Sequence, residues 1–117
     1  GVSIESITFS SDGQGSMPMF DSNKAFIGLG IGEVNSLFIE LRNSIRVENI
    51  SIEKALQVVT SNPARILKLH DKGKLEKGKD ADILLIDKEK FEVDTLIAKG
   101  TIMVENKNVI VKGTFEK

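Results

Sequence analysis

The residues best suited to chemistry in this sequence lie in one short segment, Phe9-Ser10-Ser11-Asp12-Gly13-Gln14-Gly15-Ser16. From Ile7 to Ser11 apolar and small polar residues alternate with β-branched character, as in a short strand, and the pattern then breaks into Gly-x-Gly. Asp12 is therefore expected at the C-terminal tip of a strand, a usual position for catalytic side chains in α/β proteins. Gly13 and Gly15 let the following backbone turn tightly or approach a ligand. Asp-Gly is also ordinary turn chemistry, so the residues by themselves leave a plain turn open.

Other candidates read as structural. His70 is the single histidine, which rules out a histidine pair for metal binding within the sequence, and its place after an apolar helical run suits a boundary residue. Asp80 and Asp82 form a carboxylate pair, but short Asp side chains beside a turn commonly accept hydrogen bonds from backbone amides. The lysines between Lys68 and Lys79 alternate with Asp71 and Glu76 and read as a solvated face.

The elements that must position Asp12 follow in order. Met17 to Gly32 carries Pro18, Asp21-Ser22-Asn23 and Gly28, Gly30 and Gly32 without a sustained period, and reads as a long irregular loop of the kind that forms binding segments. From Glu33 the spacing of Val34, Leu37, Phe38, Leu41 and Ile45 defines one apolar helical stripe. Ser51 is a candidate N-cap for a second helix through Ile52, Ala55, Leu56 and Val59. A third starts at Asn62-Pro63, with Asn62 as cap and Pro63 in the first turn. Beyond Gly73 the texture becomes β: the apolar run Ile83-Leu84-Leu85-Ile86 suits a strand buried on both faces, and Val93–Ala98, Thr101–Val104 and Val109–Val111 follow, the last two as a hairpin.

Composition bounds the function classes. With 40% hydrophobic and 28% charged residues the sequence is ordinary for a globular protein, and a net charge of −1 gives no field to attract nucleic acid or an anionic membrane. There is no cysteine, which excludes disulfides and thiolate metal sites. No apolar run approaches the ~20 residues that span a bilayer, and no secretory signal precedes the first strand, so a cytoplasmic protein is expected. The start at Gly1-Val2 suggests the tail of a longer protein. A sheet of about four strands cannot cover both its faces unaided, so partner strands or self-association into a homo-oligomer are expected.

The segment from Phe9 to Ser16, Thr60-Ser61-Asn62-Pro63-Ala64, Gly73-x-Leu75-x-x-Gly78-x-Asp80-Ala81-Asp82, Gly100-x-x-Met103-Val104 and Val111-Lys112-Gly113-Thr114-Phe115-Glu116 together resemble the C-terminal part of the metal-dependent amidohydrolases. The Asp12 segment and the closing Lys-Gly-Thr-Phe-Glu resemble the narrower β-aspartyl (isoaspartyl) dipeptidase group. The resemblance implies an α/β fold: residues 1–72 as the last strand, substrate loop and helices of a (β/α)8 barrel, and residues 73–117 as strands of a small β-sandwich. It implies a binuclear zinc hydrolase cleaving dipeptides linked through the β-carboxyl of aspartate. Asp12 is then a zinc ligand that takes a proton from the attacking water and passes it to the leaving amine, and Ser16 helps hold the substrate carboxylate. Such a role agrees with metal-activated water and a carboxylate acting as base and acid in turn. The histidines and bridging lysine of that family have no counterparts in this sequence, which implies that this stretch alone is inactive and metal-free. A deacetylase of N-acetyl sugars, a cyclic-amide hydrolase and a non-enzymatic interaction module remain as alternatives.

Overall fold

A computed structural model describes residues 1–113 of the chain; the end of the Lys-Gly-Thr-Phe-Glu motif, from Thr114, lies outside them. Two compact units divide within a helix, Gly1–Asn62 and Pro63–Lys117.

The first unit opens with a 3-10 turn at Ile4–Ser6, after which the backbone is extended at Ile7. The expected strand before Asp12 is not a paired strand. No described strand lies alongside it, and its main chain is instead tied down by single bonds such as Phe9 N–H to Val58 O at 3.1 Å. The expected loop from Met17 to Gly32 is an antiparallel hairpin of β1 (Ser16–Phe20) and β2 (Phe26–Ile31), with Ser16 opposite Ile31 and Pro18 opposite Leu29. Its turn forms because the Asp21 carboxylate accepts the N–H groups of Asn23 and Ala25, each at 2.8 Å. Phe20 and Phe26 close that end edge to face, with ring centroids 6.1 Å apart.

Helix α1 (Ser36–Arg46) presents the expected stripe, with Leu41 buried and Leu37, Phe38 and Ile45 half-buried, while Val34 lies before the helix and is exposed. It packs on α2 (Ile52–Gln57), whose Ala55 and the following Val58 complete a small core. Ser51 stands at the N-cap of α2 without a side-chain capping bond. The third helix, α3 (Ser61–Ile66), starts one residue before Asn62, so Asn62 is inside it and does not act as the expected cap.

The second unit carries a four-stranded antiparallel meander, β3 (Ile83–Ile86), β4 (Val93–Ala98), β5 (Thr101–Glu105) and β6 (Asn108–Val109). Two-residue loops make both later turns, Lys99-Gly100 and Asn106-Lys107, and all four residues have positive φ, as a type I′ turn requires. Every residue of β4 is half-buried, whereas Leu84 and Leu85 of β3 are exposed. Among the described residues β3 is thus an edge strand with one neighbour rather than a strand covered on both faces. No helix among the described residues is long and apolar enough to cross a membrane.

Candidate functional site

Asp12 ends the extended segment in a sharply turned loop. The Ser10 and Ser11 hydroxyls accept the N–H groups of Asp12 and Gly13 at 3.4 and 3.2 Å, which replaces part of the missing strand ladder with local side-chain bonds. Asp12 has φ +46° and Gln14 φ +70°, in the left-handed region that non-glycine residues seldom occupy. The Asp12 carbonyl accepts the Gly15 N–H at 2.8 Å and closes the turn. Backbone strain of this kind, at an exposed carboxylate, is a feature that clusters at functional sites.

The base of the hairpin locks this loop. Gln14 N–H donates to Gly32 O at 2.9 Å, and Gly32 N–H donates to Gly15 O at 2.8 Å. Gly32 is buried although most of the hairpin beside it is exposed. Ser16 is the first residue of β1 and is exposed, four residues along the same loop from Asp12. Sequence spacing therefore brought Asp12 and Ser16 to one loop, but it did not reveal the part of Gly32. The strict Gly-apolar alternation from Ile27 to Gly32 was the available signal.

Upstream, the loop is anchored by a residue with a different expected role. Asn62 is 2% exposed, and its Nδ2 donates to Ile4 O at 2.7 Å and Ile7 O at 2.8 Å. One buried amide thus satisfies two carbonyls of a segment that has no sheet partner among the described residues, which is the ordinary requirement for buried polar groups. An open cleft of about 410 Å³ lies between Thr8–Ser10 and the α1 residues Ser36, Leu37, Glu40 and Ser44, and Asp12 does not line it.

The other candidates take part in hydrogen bonds of the second unit. The His70 carbonyl accepts the Lys79 ammonium at 2.7 Å. Lys72 Nζ bridges Asp80 at 2.9 Å and Asp82 at 2.5 Å, while Asp82 Oδ1 also accepts the Lys99 N–H at 2.8 Å. The expected carboxylate-to-amide bond is there at Asp82, and the lysine bridge is an addition that composition did not reveal. The Lys72 ammonium, followed by the Lys99 amide, holds the Asp82 carboxyl below its ordinary range; the hydrogen bonds from Asp82 and then Asp80 hold Lys72 above its own. Among the described residues no group of three or more His, Cys, Asp or Glu side chains converges to hold a metal ion.

The model of the amidohydrolase family matches residues 1–115. The chain belongs to the amidohydrolase family. A solved β-aspartyl dipeptidase from Fervidobacterium islandicum AW-1, in complex with β-Asp-Leu dipeptide, is 38% identical to this amidohydrolase chain with a TM-score of 0.83, over 97% of the chain and 30% of the dipeptidase. An N-acetylglucosamine-6-phosphate deacetylase from Lysinibacillus sphaericus is 31% identical over 77 residues, 66% of this chain and 20% of the deacetylase. A dihydroorotase from Endomicrobium trichonymphae is 40% identical over 54 residues, 44% of this chain and 13% of the dihydroorotase. The chain thus spans less than a third of the length of each of these relatives.

Proposed function

We propose that this chain is the C-terminal part of a zinc-dependent hydrolase of β-aspartyl dipeptides, with residues 1–72 completing a catalytic barrel and 73–117 contributing to a small β-sandwich. The observation that supports this reading over the sugar-deacetylase chemistry is the closeness of the structural match: the solved β-aspartyl dipeptidase is 38% identical with a TM-score of 0.83 over 97% of the chain, whereas solved N-acetylglucosamine-6-phosphate deacetylases are 21% and 19% identical with TM-scores of 0.57 and 0.63 over 75% and 85%. Asp12 is the catalytic carboxylate. It accepts a proton from the water that adds to the amide carbonyl, and returns that proton to the amine nitrogen as the C–N bond breaks. Ser16 holds the substrate carboxylate through its hydroxyl.

The described residues do not by themselves fit a zinc ion, which takes about four ligands. In this reading Asp12 is one donor, and the others come from outside these 117 residues. The isolated chain is then expected neither to retain stoichiometric zinc nor to turn over dipeptide. The apolar residues left exposed on β1 and β2, among them Met17, Phe20, Ile27 and Leu29, favour self-association of the isolated chain.

The test uses the full-length enzyme that contains this chain, assayed with β-Asp-Leu, its α-linked isomer, N-acetylglucosamine 6-phosphate and dihydroorotate, with and without added zinc. Zinc-dependent cleavage of the β-linked dipeptide alone supports the proposal, and preference for either of the last two substrates overturns it. Asp12→Asn should lower kcat by roughly 10²–10⁴-fold with folding unchanged, the usual range for loss of a general acid–base group. An unchanged rate would return Asp12 to a plain turn.

A further inference from the structure

Two glycines of the loop and hairpin stand directly against Asp12. A Cβ built on Gly15 would lie 2.5 Å from Asp12 Oδ2, 2.6 Å from Cγ and 2.7 Å from Oδ1, so the carboxylate is folded directly over the Gly15 backbone. A Cβ built on Gly32 would lie 2.5 Å from the Asp12 carbonyl oxygen and 3.3 Å from its carbonyl carbon. The same Gly32 exchanges hydrogen bonds with Gln14 and Gly15, and the Asp12 carbonyl is already held by the Gly15 amide. Elsewhere in the hairpin the contacts are of another kind. A Cβ on Gly30 would meet the Met19 side chain, at 3.2 Å from its sulfur, and a flexible thioether can move aside.

We propose that Gly15 and Gly32 are positioning residues for Asp12, Gly15 fixing the direction of its carboxylate and Gly32 the place of its peptide. This rests on the reading of Asp12 as the catalytic carboxylate. Gly32 lies twenty residues beyond Asp12 and stands against its main-chain carbonyl, so the end of the hairpin backs the Asp12 peptide. The residue that follows β2 thereby fixes the peptide from which the carboxylate projects, and Gly15 the side on which its oxygens lie. Displacement of a reacting group by about 1 Å costs on the order of 10²-fold in rate, while binding made elsewhere is retained.

The experiment measures kcat and KM of the full-length enzyme on β-Asp-Leu for Gly15→Ala, Gly32→Ala, Gly30→Ala, Asp12→Asn and the Asp12→Asn/Gly15→Ala double variant, with thermal melts of each. Gly15→Ala and Gly32→Ala are expected to lose roughly 100-fold in kcat with KM within about threefold. Gly30→Ala keeps both constants. In the Asp12→Asn background, Gly15→Ala adds less than about threefold, because the group it displaces has lost its role. Should Gly32→Ala fail to fold, Gly15→Ala still decides, since its Cβ meets a side chain and leaves the main chain in place. Wild-type kcat in Gly15→Ala, or an undiminished further loss in the double variant, overturns the positioning role. Wild-type kcat in Asp12→Asn overturns the reading of Asp12 itself, a separate result.

Discussion

The Asp12 loop and the β4–β5–β6 meander both contain non-glycine residues with positive φ, and they use them differently. In the meander Lys99, Asn106 and Lys107 sit in two-residue turns whose twist matches the strands they join, so the unusual conformation is the ordinary geometry of a hairpin. Around Asp12 the positive φ belongs to a turn locked by residues as far away as Gly32, and it aims a carboxylate rather than joining two strands. The first pattern is local chemistry; the second depends on a return of the chain. Strain made by a local turn is spread over many sequences, whereas strain held from a distance marks a place where geometry matters.

Removing the anchors of each region should separate the two. The largest stability effect is expected for Asn62→Ala, which leaves the Ile4 and Ile7 carbonyls without their buried donor and should destabilise the full-length protein by ~2–3 kcal/mol in urea denaturation. Loss below about 0.5 kcal/mol would mean that water replaces the amide and that the entry to Asp12 is not held there.

In the meander the corresponding anchor is Asp82, and its effect depends on pH. Its folded pKa is depressed, so its stabilisation is present above about pH 4, the unfolded value, and disappears as pH falls through the folded value. Lys72 is raised, so its share is complete below about pH 10.4 and is lost as pH rises through its folded value. Asp82→Asn should therefore be less stable than the wild type near neutrality, with the difference shrinking in strong acid. A difference that does not change with pH would mean that the charge of Asp82, and with it the Lys72 bridge, contributes nothing.

The smallest effect is expected at Lys99, where Asn would complete the preferred Asn-Gly pair for a type I′ turn. Lys99→Asn should raise stability by about 0.3–1 kcal/mol, by relieving a positive φ that lysine disfavours. A decrease would show that the exposed Lys99 side chain, 4.0 Å from Asp80, contributes more than the turn does.

What was legible in the sequence follows the same division. The stripe of α1 and the runs of β4 and β5 are periodic over their own length, and they occur where the spacing put them. β2 was hidden because Gly28, Gly30 and Gly32 alternate with Ile27, Leu29 and Ile31, and glycines that give backbone room for Met19 and Asp12 look like loop punctuation. The segment before Asp12 has strand character but no described strand to pair with, so propensity alone did not make it a strand. Asn62 beside Pro63 has the form of a cap, yet its partners lie 55 and 58 residues away, beyond any local pattern. Asp12 and Ser16 stood out as candidates because they share one short motif.

The Asn62 contacts have an evolutionary corollary. Both bonds end on main-chain carbonyls, which every amino acid possesses, so the amide constrains the path of residues 4–7 without constraining which side chains they carry. Substitutions at those positions would leave both bonds intact as long as the asparagine remains. The entrance to the loop is thus encoded at a distance, by a residue that fixes a route and leaves its spelling open.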